Sequence, residues 1–88
     1  MSLPASTVAE VVRRSGGCCE AGIHPDCDGA AAHMHHRQLR RHGDNTAANL
    51  LAVCVYCHSW IHAHPAAARD FGLIVRSWEN PADVKVSS

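Results

Sequence analysis

Apolar residues recur at helical spacing in two places. Val8, Val11 and Val12 lie beside Thr7 and Glu10, a threonine with a glutamate three residues later that reads as a capping box, and Gly16 offers a stop. Val55, Tyr56, Trp60 and Ile61 repeat the helical interval, and Pro65 blocks its continuation. Segments 31–37 and 48–53 have the length of strands. The linker 40–47 holds Gly43, Asp44 and Asn45, which favour turns, so the two segments are expected to form a hairpin with a long loop. Residues 17–29 are rich in Gly, Pro, Asp and Cys without an apolar period and read as a loop built around ligands. After the second helix come one more helical turn over 65–70, a short apolar segment over 73–75 and a polar tail from 79. With no internal repeat, the pattern predicts one α+β domain: an N-terminal helix over 1–16, a core over 17–65 and a C-terminal extension over 66–88.

Composition sharpens this picture. A chain of 88 residues is short for a fold held by its core alone, so a staple is expected. Five cysteines and eight histidines are many for that length, and most lie between Cys18 and His64. No charged-then-apolar leader opens the chain and no apolar run reaches the length of a membrane span, so a cytoplasmic protein without a membrane is expected. In a reducing compartment, an odd cysteine count with pairs at ligand-like spacing favours a metal over a disulfide framework.

Eight Lys and Arg balance eight Asp and Glu, so the global charge does not point to nucleic acid. Locally, 29–43 carries Arg37, Arg40 and Arg41 and no acid, a pattern able to hold phosphates. Arg13 and Arg14 fall in the last turn of the first helix, where they complement its dipole; a phosphate contact is the alternative.

Cys54-Val55-Tyr56-Cys57 has the gap that lets two thiolates reach one tetrahedral Zn2+ ion. Cys19 and Cys27 can complete a closed structural site, although Cys18 stands beside Cys19 and either could serve. His58 and His62, four apart on a helix, can chelate a single divalent ion. His35 and His36 are adjacent on a strand and so face opposite sides, one free for metal and the other for substrate.

His35-His36-Arg37, then Asn49-Leu50, then Cys54-x-x-Cys57-His58-x-x-x-His62 resemble the HNH motif of ββα-metal nucleases. Cys19-Glu20 and Cys27-Asp28-Gly29 resemble the zinc-bearing branch found in many bacteriophage and bacterial HNH proteins. The resemblance runs over 17–65 and implies a small ββα-metal, treble-clef-like fold with a structural zinc. It also implies a DNA endonuclease with one catalytic ion (Mg2+, Mn2+, Ni2+ or Zn2+) held by His35, His58 and His62, with His36 as general base. Asn49 would orient the His36 ring, with Asn45 the alternative. Products would carry 5′ phosphate and 3′ hydroxyl ends, with low sequence specificity. A phage packaging or restriction protein as partner, and the cytoplasm of a bacterial host, follow from the resemblance alone. The competing reading is a zinc-stabilised module that binds nucleic acid or protein without cutting. Of the remaining residues, His33 reads as an exposed strand residue or a supporting one. His24, His42 and His64 fit no second metal constellation. Trp60, Phe71 and Trp78 read as packing, with an interface role open for Trp78.

Overall fold

The computed structural model describes residues 3–38 and 45–86. Helix α1 (Ala5–Ser15) ends where Gly16 takes a left-handed conformation (φ 65°) and donates its N–H to the Val12 carbonyl at 2.8 Å. The expected capping box does not form. The helix starts two residues before Thr7, so its N-cap is Pro4, which has no side-chain acceptor to offer.

Strands β1 (His33–His36) and β2 (Leu50–Val53) pair antiparallel, with His33 opposite Val53 and His36 opposite Leu50. Cys54 then caps helix α2 (Val55–Ala63), its sulfur accepting the Cys57 N–H at 3.3 Å. Pro65 opens helix α3 (Pro65–Asp70). Two short 3-10 turns, Ala47–Asn49 and Pro81–Asp83, complete the described elements. The result is a small α+β fold with a two-stranded antiparallel sheet and three α-helices among the described residues. None of these helices is long and apolar enough to cross a membrane.

All four β2 residues are buried, because both faces of the sheet are covered. Alternation along the strand divides them. Leu50 and Ala52 join Val11 of α1, with Met34 of β1 packed against them. Leu51 and Val53 join Cys54, Cys57, Ile61, Ala68 and Leu73 on the other side. The far edge of β2 is closed by Glu20, whose N–H donates to the Ala52 carbonyl (2.7 Å) and whose Oε1 accepts the Ala52 N–H (2.9 Å). Arg14 grips the same Glu20 carboxylate in a bidentate pair, both bonds 2.7 Å, and also donates to the Ala47 and Leu50 carbonyls. It ties α1 to the sheet.

The C-terminal segment is an integral strap. Leu73 and Val75 are buried, and the Val75 N–H donates to the Arg37 carbonyl at 2.8 Å. Arg37 is the main bolt and corrects the expectation that it holds phosphates: it is 5% exposed, and its guanidinium donates to the carbonyls of Gly72, Ala48, Pro81 and Val84. Gln38 adds bonds from Nε2 to the Arg76 and Glu79 carbonyls at 2.7 and 2.8 Å. Gly72 sits where the strap doubles back. Its φ is +76°, and a Cβ there would collide with the Lys85 carbonyl oxygen, so only glycine fits.

Replacing Arg37 takes the donor from four carbonyls, one buried and three part-buried, and opens a cavity. Arg37→Ala is therefore expected to lower the unfolding free energy by on the order of 3 kcal/mol, with an unfolding midpoint in urea well below wild type. A surface arginine holding phosphate would give a change within about 0.5 kcal/mol.

Candidate metal centres

The ligand-rich loop is pinned at its base by the Cys18–Ala30 bridge, with the Cys19 N–H donating to the Gly29 carbonyl at 2.9 Å. This brings Cys19 and Cys27 against the Cys54-x-x-Cys57 knuckle, and the four sulfurs all lie within 4.8 Å of one another. Cys27 and Cys54 are 3.6 Å apart, close to the roughly 3.8 Å edge of a tetrahedron with Zn–S bonds of about 2.3 Å. The donor set fits a closed site and could hold a metal ion such as zinc. Cys18, the alternative to Cys19, is exposed and outside the cluster.

The thiols are electrostatically interdependent. Burial raises the Cys19 pKa, but N–H donors from Gly22, Cys54 and Ala21, with help from Cys57, outweigh this and bring it to about 7. Cys27 shows the opposite balance. Gly29 donates to it, yet burial and the neighbouring sulfurs of Cys54, Cys57 and Cys19 push it up to about 12. Four thiolates packed this closely repel one another, and a dication among them removes that repulsion.

A second cluster forms where β1 crosses α2. His35, His58 and His62 each offer a ring nitrogen, all within 4.8 Å of one another. The Nε2 atoms of His58 and His62 are 3.1 Å apart, near the roughly 3.3 Å separation of two nitrogens on one tetrahedral ion. His35, buried, donates from Nε2 to the Leu73 carbonyl at 2.8 Å. That bond places the proton on Nε2 and leaves Nδ1 with its lone pair, the usual outer support of a metal-bound histidine. Burial, opposed in part by this bond and aided by His58 and His62, brings its pKa down to about 4. Burial and then His62 and His33 lower that of His58 as well. His33, exposed, has its ring centroid 5.1 Å from that of His58.

His36 is the last residue of β1, and alternation puts it on the opposite side from His35. Its Nε2 lies 3.1 Å from Asn45 Oδ1. Asn45 therefore holds the ring with Nε2 protonated, leaving Nδ1 able to accept a proton. This corrects the assignment of Asn49 to that task. Asn49 is fully buried, and its Oδ1 accepts the Gln38 N–H at 3.0 Å, so it braces the end of β1. Arg40 and Arg41 lie outside the described residues. His24 bonds the Asp26 N–H and His64 stacks on Trp60; neither joins a cluster.

Two groups escape the sequence motifs: the Leu73 carbonyl carries no sequence signal, and Gln38 falls between elements. Asn45, the alternative to Asn49, stands in turn-forming company that favoured the plainer reading. Comparison with protein-family models, curated proteins and solved structures gave no match.

Cys57→Ser should abolish stoichiometric zinc binding at the sulfur site and most of the roughly 10 kcal/mol that such an ion contributes to folding, whereas Cys18→Ser should leave both intact. Native mass spectrometry and thermal unfolding read the two. For His35, the folded pKa of about 4 lies below the ordinary 6.5, so its contribution to stability is full above pH 6.5 and is lost as pH falls toward 4. The expected loss in the metal-free chain is about 3 kcal/mol. Ring resonances followed by NMR should show His35 still neutral well below pH 6.5 and taking up its proton only as pH approaches 4.

Proposed function

We propose that this chain is a metal-dependent DNA endonuclease of the HNH, ββα-metal, type, hydrolysing phosphodiester bonds with one divalent ion and His36 as general base. The observation that carries the reading is the strand-and-helix triad of His35, His58 and His62 next in sequence to a histidine whose ring is already oriented. The order β1, β2, α2 and the sulfur cluster at its foot accord with it.

An ion held by His35, His58 and His62 would supply charge stabilisation at a phosphate oxygen and the leaving 3′ oxygen. His35 is kept neutral by burial and held in one tautomer by Leu73, so it is ready as a ligand at neutral pH. His58 and His62 project from one face of α2, a turn apart. Asn45 keeps the His36 proton on Nε2, so that Nδ1 can take a proton from the attacking water. The hydroxide then adds to phosphorus in line, giving 5′ phosphate and 3′ hydroxyl ends.

Supercoiled plasmid incubated with the purified protein should be cut only when a divalent ion is present, with EDTA, Mg2+, Mn2+, Ni2+ and Zn2+ arms identifying the active ion. His36→Ala, shown folded by circular dichroism, should cut about 100-fold to 10,000-fold more slowly. Binding of DNA by folded wild type with no cutting in any arm would replace the nuclease by a zinc-stabilised binding module.

A further inference from the structure

Arg37 is withdrawn from the surface, so among the described residues contacts to a nucleic acid fall to other side chains. The turn over 76–79, fastened to Gln38, is the notable candidate. It carries Trp78, 79% exposed and the most exposed large apolar side chain among the described residues. Tryptophan is normally largely buried, and a single ring held in water is unfavourable unless something covers it.

The backbone turn that carries this ring is held in place. The Glu79 N–H donates to the Arg76 carbonyl (3.0 Å), and Glu79 Oε1 accepts the Arg76 N–H (3.1 Å), closing the turn from both ends. Gln38 Nε2 donates to the main-chain carbonyls of Arg76 and Glu79, so the turn is bolted to a residue two beyond His36. The Arg76 guanidinium stands 5.8 Å from the Trp78 ring centroid. Its ion pair with Glu79 is loose, 3.9 Å and partly exposed, which leaves the cation able to meet a second anion.

An exposed indole on an anchored turn, with a guanidinium over one face, matches a nucleotide: the other π-face takes a base and the guanidinium takes the adjoining phosphate. We infer that Trp78 and Arg76 form a stacking platform for an unpaired base of the nucleic-acid strand engaged at His36, an inference that rests on the nuclease reading. Because every base has a π-face, the platform adds grip and position without adding sequence preference.

The test uses zinc-loaded full-length protein carrying His36→Ala, so that the probe is not cut. It is titrated by fluorescence anisotropy with a labelled single-stranded DNA oligonucleotide and with the matching duplex. The expected result is that Trp78→Ala weakens binding of the single strand about tenfold or more, that Trp78→Phe restores most of it, and that Arg76→Gln reduces the salt slope by about one. Intrinsic fluorescence should be quenched on binding, and less so in Trp78→Phe. Undiminished binding by Trp78→Ala, in a chain that still cuts plasmid with His36 restored, overturns the platform alone and leaves the ring to a protein partner. Failure of the Trp78-intact protein to bind either probe overturns the platform together with the nuclease reading.

Discussion

Four sulfurs brought within 4.8 Å of one another are the constraint on which the rest of this structure depends. Cys54 closes β2 and caps α2, and Cys57 lies buried in the first turn of that helix. Cys19 and Cys27 draw in a loop that has almost no apolar residues of its own to hold it. Without a cation, the cluster sets thiols against one another, and the sulfurs of Cys54, Cys57 and Cys19 help to push Cys27 up. With one, the loop, the strand and the helix are fixed at a single point, and α2 is aimed so that His58 and His62 meet β1. The geometry of the histidine cluster is thus inherited from the sulfur cluster, one helical turn away.

The sheet between the two sides has only two strands, too few to be stable alone, and survives because both faces and an edge are covered. Alternation sends His35 to the α2 side while Met34 packs with the α1 side. The strap over 72–86 completes the enclosure through backbone carbonyls, which Arg37 and Gln38 collect from below. One of its carbonyls, at Leu73, holds the His35 ring. A segment that looks peripheral therefore sets the tautomer of a candidate ligand and displays Trp78, linking the end of the chain to the centre of the site.

What was legible in the sequence was what depends on short spacing. The Cys54-x-x-Cys57 knuckle, the His58 and His62 pair and the two strands all rest on intervals of a few residues, and they fall where those intervals put them. Burial and long-range pairing were not legible. Arg37 reads as a surface cation beside Arg40 and Arg41, and only the strap arriving from 35 or more residues away turns its donors inward. Motif position favours Asn49 over Asn45 in the sequence; the fold reverses this by burying Asn49 against Gln38 and leaving Asn45 beside His36. Thr7 and Glu10 show the limit of a local rule, since a helix that begins earlier leaves the motif inside it.

The central claim is that the sulfur cluster is the closed, architectural centre and the histidine cluster a separate, nitrogen-based one. Zinc K-edge X-ray absorption on protein loaded with a single equivalent of zinc tests this most directly. The account predicts a shell of four sulfurs at about 2.3 Å, unchanged in His58→Ala. A shell dominated by nitrogen at about 2.0 Å would mean that the first ion goes to the histidines and would contradict it.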